Sequence, residues 1–370
     1  MQVNIIMKHE ERGKHMNRFN GVISRSCSDP QLSEAYLPNL YETSHAANLL
    51  QLDNGDILCA WFSGSGEGNP DTNVVLSRLN AGTHQWTDPI DLSSDPEHSE
   101  QNPVLFQAPD GNVWLLHTSD LPHILELSKI CVKTSKDRGL TWEKTQTLFR
   151  TDGIFIRHPI VVLSNGDWVL PIYYFHEDGH YSAVKISSDS GASWQEFPVA
   201  ESTHRVQMNI IALEDSKLLA FFRSRDADRI YTSISTDMGR TWTAPERSSL
   251  PNNNSSTQAI KLTSGNLVMV YNDVTLERDQ IRPAMKDGKL VKKALRTPLT
   301  VALSEDHGKT WPYIRNIQMS DDEYLESQIG YSYPSIIQSN DGNIHIAYTY
   351  LRKGIKHVIL KEEWIKATSS

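Results

Sequence analysis

Short apolar stretches alternate with turn residues along most of the chain, and no sustained helical period interrupts them. Each turn is flanked by two strand-like stretches, such as residues 47–52 and 57–61 around the first one, which is typical of β-hairpins. The six turns are Asn54-Gly55, Asp110-Gly111, Asn165-Gly166, Asp215-Ser216, Ser264-Gly265 and Asp341-Gly342. The pattern predicts an all-β protein.

The spacing of these hairpins predicts the architecture. Successive turns are 56, 55, 50, 49 and 77 residues apart. A period of about 50 residues with room for four strands is typical of propeller blades. We therefore expect a six-bladed β-propeller as a single domain over residues 20–365, after a disordered N-terminal segment, 1–19. The long last interval predicts an insertion at 273–294.

The ends of the chain are expected to close the ring. Residues 355–361 form the last strand-like stretch, and one more strand is needed to complete blade six. We expect residues 21–27 to supply this outermost strand, which would leave no open sheet edge.

A second repeat has the pattern Ser-x-Asp-x-Gly-x-x-Trp, known as the Asp box. In such a hairpin the Asp accepts backbone N–H bonds, the Gly takes a positive φ, and the Trp packs over the turn. The aspartates are therefore interpreted as structural and not catalytic. Intact copies are Ser135–Trp142, Ser187–Trp194, Ser235–Trp242 and Ser304–Trp311, with a decayed copy at Ser77–Trp86.

Charge and composition argue against several classes of partner and binding site. The formal net charge of −9 argues against nucleic acid as a partner. No stretch of ~18 apolar residues and no secretory signal is present, which predicts a cytoplasmic protein with no membrane partner. Three separated cysteines without a C-x-x-C spacing predict neither a zinc site nor a disulfide framework. We expect no metal and no cofactor.

Polar side chains gather at one end of the predicted channel. In each blade, residues just before the first strand and just after the second share the same end of the propeller. These residues are His45, Asn48, Asp71, Glu100, Gln101, Asn102, His117, Asp120, Arg157, His158, Tyr174, His176, Arg205, Gln207, Asn209, Arg223, Arg225, Ser256, Gln258, Asn272, Asp273, Arg296, Tyr331, Tyr333 and Arg352. Arginines, tyrosines and histidines that converge on one cavity favour binding of a carboxylate.

With its Asp boxes and these strand-end residues, the chain resembles the sialidase (neuraminidase) superfamily over roughly residues 40–360. The resemblance implies a six-bladed propeller with an arginine triad for the substrate carboxylate, a tyrosine nucleophile paired with a glutamate, and an aspartate acid/base. Carried over by position, Arg223 and Arg296 match two triad arginines, and Asp71 matches the acid/base. Tyr333 matches the nucleophile, with Tyr331 as its fallback.

Two positions depart from the family pattern. Residues 44–48 contain no arginine where the first triad member is expected, and Gln207 stands at the position of the glutamate. A glutamine can hydrogen-bond a phenol but cannot take its proton. His45, Arg157 and His158 would fill the remaining side of the site, and histidine can act as a general acid or base near neutral pH.

The sequence therefore predicts an enzyme, a glycosidase of the exo-α-sialidase type, that cleaves a terminal bond of an acidic sugar or oligosaccharide. Asp71, Tyr333, His45 and His158 are the catalytic candidates. The predicted substrate-binding residues are Arg157, Gln207, Asn209, Arg223, Arg296 and Tyr331. Two alternatives remain open: a polysaccharide lyase acting beside a uronate, and a propeller that only binds carbohydrate. The oligomeric state is not predicted.

Overall fold

The structure, a computed structural model, describes residues 18–93, 95–176, 179–213, 216–277, 281–286, 289–327 and 329–367, with the side chains of 281–292 excepted. All but the last two residues of the predicted N-terminal segment 1–19 lie outside these ranges. The first described strands are β1 (Ser24–Arg25) and β2 (Ser33–Tyr36), and both belong to the last blade.

Six antiparallel blades follow one another along the chain, as the hairpin spacing predicted. The fully described turns between the first two strands of a blade are tight, and Gly55 in the first of them has a φ of 88° that favours glycine. Blade one contains β3 (Thr43–Gln51), β4 (Ile57–Gly64), β5 (Asn73–Leu79) and β6 (Ile90–Asp91). Blade two contains β7 (Ser99–Gln107), β8 (Val113–Leu121), β9 (Ile124–Ser135) and β10 (Gln146–Phe149).

In blade three the inner strand is split into two pieces, one on each side of Arg157, His158 and Pro159. A proline has no backbone N–H for the ladder, which favours this break. Blade three contains β11 (Ile154–Ile156), β12 (Val161–Val162), β13 (Trp168–His176), β14 (Gly179–Ser187) and β15 (Gln195–Pro198). Blade four contains β16 (Arg205–Ala212), β17 (Leu218–Ser224), β18 (Arg229–Ser235) and β19 (Glu246–Pro251).

Blade five carries the predicted insertion, which forms a separate two-stranded hairpin within 273–294. Its ladder runs β20-β21-β24-β25, so the inserted hairpin lies between its second and third strands along the chain. These strands are β20 (Gln258–Lys261), β21 (Leu267–Asn272), the inserted β22 (Ile281–Lys286) and β23 (Lys289–Ala294), β24 (Leu299–Ser304) and β25 (Tyr313–Gln318). A short helix, α1 (Asp322–Ser327), leads to the last blade.

Blade six is closed by the N-terminal part of the chain, but the predicted strand was placed too early. It is β2 that pairs with the third strand of the blade, and β1, within the predicted 21–27, adds a fifth strand outside it. The blade contains β26 (Tyr331–Gln338), β27 (Ile344–Tyr350) and β28 (Gly354–Leu360), followed by α2 (Glu362–Lys366).

The core lies between neighbouring blades, and blade four shows why its strands are apolar on both faces. Along β17, Leu218 and Phe222 pack into the cluster shared with blade three. Leu219 and Phe221 point the other way and pack with blade five. Full burial of such a side chain contributes roughly 1.5–3 kcal/mol, so the ring is stabilised at every blade interface.

The Asp boxes lie in the outer hairpins, between the third and fourth strands of blades two to five. In the first intact box, the Asp137 carboxylate accepts from Thr141 N at 2.8 Å, Thr141 Oγ1 at 2.5 Å and Ser135 Oγ at 2.7 Å. These hydrogen bonds, that of the Thr141 hydroxyl first, hold the pKa of Asp137 well below its usual range. The aspartate is fully occupied within its turn, in keeping with the structural role predicted from the sequence.

Candidate active site

Four inner strands carry a β-bulge at the same level of the channel. At each bulge one non-glycine residue has a positive φ, a conformation that costs free energy unless the surroundings fix it. These residues are Ala46 (61°), Asn102 (49°), Gln207 (53°) and Tyr333 (54°). The repeated distortion sets the orientation of Gln207 and Tyr333.

Tyr333 lies at the centre of a group of cations. The guanidinium carbons of Arg157, Arg223 and Arg296 are 5.4, 5.6 and 5.6 Å from the centroid of its ring. Arg223 Nη1 donates a hydrogen bond of 2.6 Å to the phenol oxygen. The ring of His45 packs on the tyrosine, with 4.2 Å between ring centroids.

The arginines change the acidity of this phenol. Burial alone would raise the pKa of Tyr333, but the positive charges of Arg223 and Arg296 oppose burial and lower the pKa from 10.0 to about 8. A phenol with such a pKa is partly ionised near neutral pH. The arrangement can therefore provide a phenolate without a neighbouring carboxylate base.

Arg223 is held in place by three protein groups. Its Nε donates to Asn254 Oδ1 at 2.9 Å, and its Nη1 donates to Gln207 Oε1 at 3.1 Å as well as to Tyr333. On its other side, Gln207 Nε2 approaches the hydroxyl of Tyr173 at 3.5 Å. Gln207 thus acts on Tyr333 through Arg223, and its amide orients the arginine without neutralising it.

A cavity of about 590 Å³ opens beside this group. Its wall contains four arginines and one lysine, with a smaller apolar part. The lining residues are Arg223, Arg225, Ala227, Asn253, Asn254, Leu276, Lys293, Ala294, Arg296, Ile329, Gly330, Ser332 and Arg352. Such a wall is complementary to an anionic ligand.

Arg225 and Arg352 belong to this cavity, although sequence reasoning had not selected either of them. Both stood among the strand-end residues, but the resemblance called for only three arginines. Arg352 has a φ of 60° in the turn after β27, and its Nη2 donates to Glu67 Oε2 at 2.7 Å.

The carboxylate beside the cavity comes from Glu67, which sequence reasoning also missed. Besides pairing with Arg352, Glu67 acts electrostatically on Tyr333 and Arg296. It also faces Asp120, a side chain with no exposed surface. Burial, and then the charge of Glu67, raise the pKa of the Asp120 carboxyl to about 7.

Asp71 lies elsewhere, contrary to expectation. Its carboxylate accepts from Ser65 Oγ at 2.8 Å and lines a different groove together with Asn73 and Ser93. The loop from Ser65 to Asp71 therefore directs Glu67, and not Asp71, toward the arginines.

Tyr331 and Asn209 also lie apart from the cavity. The Tyr331 ring is buried in the core of blades five and six, 5.4 Å from the ring of Tyr350 between centroids. Asn209 Oδ1 accepts from Ala259 N at 2.7 Å and so ties blade four to blade five. Both residues lie on inner strands, as their positions in the sequence predicted. Packing and hydrogen bonding between blades, however, direct their side chains away from the cavity.

Arg157 crosses the channel below Tyr333 and does not line the cavity. Its Nη2 donates to the backbone oxygens of Ala47, Tyr333 and Pro334 at 3.1, 3.1 and 3.2 Å, and its Nε to Ser256 Oγ. The side chain is 1% exposed. Arg157 thus joins the inner strands of several blades beneath the site, while its Nη1 has no hydrogen-bond partner among the described residues, and its predicted contact with substrate stays a prediction.

The two histidines are buried and neutral. His45 Nδ1 lies 2.7 Å from Thr349 Oγ1, while its Nε2 has no hydrogen-bond partner among the described residues. Burial, and then the charge of Arg352, hold the pKa of His45 well below its usual value. Burial, and then Arg157, do the same for the pKa of His158. Neither imidazole is suited to carry a proton at neutral pH, contrary to the role predicted for them.

Within the described ranges, His, Cys, Asp and Glu side chains form no group of three or more placed to hold a metal ion. No helix in the same ranges combines the length and the apolar character needed to cross a membrane.

Comparison with known proteins identifies the family. The model of the BNR repeat-like domain matches residues 55–346. The chain belongs to the BNR repeat-like family. No curated protein sequence matches this BNR repeat-like protein.

Solved structures share its sialidase-like fold. The Hadza microbial sialidase superposes with a TM-score of 0.72 at 15% identity, over 88% of this chain and 67% of that one. The intramolecular trans-sialidase from Ruminococcus gnavus gives 0.69 at 13%, over 90% and 98%. A protein of unknown function from Dyadobacter fermentans gives 0.67 at 18%, over 90% and 100%. These likenesses confirm the six-bladed propeller predicted for the BNR repeat-like protein, and at such identities they concern the fold alone.

Proposed function

We propose that this protein is a sialidase-like glycoside hydrolase that releases a terminal acidic sugar, with Tyr333 as nucleophile. The observation that carries the proposal is the hydrogen bond of 2.6 Å from Arg223 to the phenol of Tyr333, beside a cavity lined by arginines. The guanidinium groups would serve two purposes. They would bind the carboxylate of the sugar, and they would favour the phenolate form of the tyrosine.

In the first step, the phenolate oxygen of Tyr333 would attack the anomeric carbon as the bond from that carbon to the glycosidic oxygen breaks. The departing oxygen would receive a proton from the Asp120 carboxyl, which has a pKa of about 7, by way of the neighbouring Glu67 carboxylate. In the second step, the Glu67 carboxylate would take a proton from water, and the water oxygen would displace the tyrosine. Glu67 replaces Asp71 as the proposed acid/base because it is the carboxylate that contacts Arg352 at the cavity.

Gln207 would have an indirect role in this scheme. A glutamate at this place would take the proton of the phenol, but it would also offset the charge of Arg223. The glutamine leaves that charge in full, so the arginine can lower the pKa of Tyr333. Activation by charge would replace activation by a base.

The test is a Tyr333→Phe variant assayed on a panel of chromogenic acidic glycosides that includes sialic acid and uronic acids. We expect it to fold like the wild type and to lose turnover, because the attacking oxygen is gone. Tyr313→Phe, in an outer strand of blade five, is the matched control and should keep full activity. Full activity of Tyr333→Phe on a substrate of the wild type would refute the nucleophile assignment.

Two other results would support the alternatives. Ultraviolet absorbance of an unsaturated uronate product would indicate a lyase. Calorimetric binding of acidic glycans by the wild type, without turnover on the whole panel, would indicate a carbohydrate-binding propeller.

A further inference from the structure

The cavity has more positive charge than one carboxylate requires. Arg223, Arg225, Arg296, Arg352 and Lys293 all line it, and none of its described lining residues is acidic. Lys293 comes from the hairpin inserted in blade five, so the insertion itself adds a cation to the wall. Cations confined in a cavity are costly unless an anion offsets them.

The described residues supply little negative charge to offset these cations. Glu67 pairs with Arg352 at 2.7 Å, and it is the carboxylate that acts on Arg225 and Arg296 as well. The Asp120 carboxyl behind it has a pKa of about 7, raised by burial and then by Glu67, so near neutral pH it is only partly charged. Much of the positive charge of Arg225 and Arg296 is therefore left for a ligand.

Arg225 is the cation best placed for an additional contact. Its Nε is buried at the cavity and has no hydrogen-bond partner within the described part of the chain. Burial, and then the neighbouring charge of Arg223, lower the pKa of Arg225 to about 10. Arg223, by contrast, is already bonded to Asn254, Gln207 and Tyr333. A buried donor without a partner is costly, and an anion would satisfy it.

We propose that the cavity recognises an acidic mono- or disaccharide unit that carries two anionic groups, and this rests on the proposed function. One group is held by Arg223 and Arg296 beside Tyr333, and the other by Arg225. The second anion is a sulfate ester on the same sugar or the carboxylate of an adjoining uronate, since either presents oxygens to a guanidinium.

The proposal is tested by isothermal calorimetry on the full chain with two matched pairs of probes. One pair is galacturonate and digalacturonate, and the other is glucuronate and a sulfate ester of glucuronate. We expect at least one dianion to bind about tenfold more tightly than its monoanion, and the preference to fall as salt is raised. The pair that shows it identifies the source of the second anion.

An Arg225→Gln variant tests whether Arg225 is responsible for the preference for the dianion. It should lose about tenfold in affinity for the preferred dianion and less than about twofold for the monoanion. Arg240→Gln is the control, because Arg240 lies on an outer hairpin, where it pairs with Asp167. If Arg225→Gln melts early, Arg225→Lys keeps the charge and should restore part of the preference.

Equal binding of dianion and monoanion by the wild type, or equal losses for both in Arg225→Gln, would overturn the proposal. These binding experiments need no turnover. A failed hydrolase assay would therefore leave the anion preference measurable, and an absent preference would leave the role of Tyr333 untouched.

Discussion

Replacing Arg223 by glutamine should disable Tyr333 in a way that depends on pH. The substitution removes both the donor 2.6 Å from the phenol oxygen and the charge that most lowers its pKa against burial. The pKa now lies near 8 and should rise toward 10, because burial raises it, while Arg296 and Arg225 still act to lower it. Two pKa units correspond to about 2.7 kcal/mol.

That shift sets the size of the effect. At pH 7 a rise of the full two units would lower the phenolate fraction from about one tenth to about one thousandth, so kcat should drop by at most about 100-fold. The limb of the pH–rate profile that rises with pH should move to higher pH, by at most about two units. The assay is kcat and kcat/KM against pH on the best glycoside of the panel, with the Tyr333 ionisation followed by NMR of labelled tyrosine.

Two variants complete the experiment. Arg223→Lys keeps a positive charge and should recover part of the lost rate, whereas Arg240→Gln should leave the profile unchanged. A lower rate for Arg223→Gln with an unmoved pH limb and an unmoved tyrosine pKa would refute the idea that the arginine activates the phenol.

Three further predictions concern the framework. Burial lowers the pKa of His345, which shares a hydrogen bond of 3.0 Å with His357, from 6.5 to about 4. On lowering the pH, the histidine is protonated in the unfolded chain at a higher pH than in the folded chain. The free energy of unfolding should therefore fall by about 3 kcal/mol as the pH drops from 6.5 to 4. In urea titrations, His345→Gln should show a weaker dependence of stability on pH over this range. Asp237→Ala removes the acceptor of three hydrogen bonds in an Asp box and should cost about 1–3 kcal/mol with kcat unchanged; a loss of kcat in the folded variant would contradict its structural role. Asn209→Ala leaves the N–H of Ala259 without its partner and should lower the unfolding free energy by about 1–3 kcal/mol without changing KM; a raised KM would return Asn209 to the site.

The ring could be predicted from the sequence because its determinants are local. Turn dipeptides such as Asn54-Gly55 and the Asp boxes each specify a hairpin within a few residues. The number and spacing of these turns predict the number of blades. The closing strand was placed at 21–27 and not at Ser33–Tyr36 because closure depends on pairing with β28 at the other end of the chain. Such a long-range register has no local signal.

The site was predicted only in part, for the same reason. Tyr333, Arg223 and Arg296 lie together as expected, since all three follow from strand ends in a repeated blade. The choice between Asp71 and Glu67, four residues apart on one loop, depends on an ion pair with Arg352 from blade six.

Arg157 illustrates a second limit of sequence reasoning. An arginine at the end of a strand can reach a ligand or bind the backbone. Here its Nη2 donates to backbone oxygens of Ala47, Tyr333 and Pro334, which come together only once the inner strands of the neighbouring blades one and six lie side by side.

The role of Tyr333 is tested most directly by trapping its covalent intermediate. The enzyme would be incubated with a fluorinated analogue of the best glycoside substrate of the panel, because the fluorine slows the second step. It would then be digested for peptide mass spectrometry. We predict one added sugar per chain, located on the peptide that contains Tyr333 and absent from Tyr333→Phe. An adduct on another residue, or complete inactivation without any adduct on that peptide, would contradict the proposed chemistry.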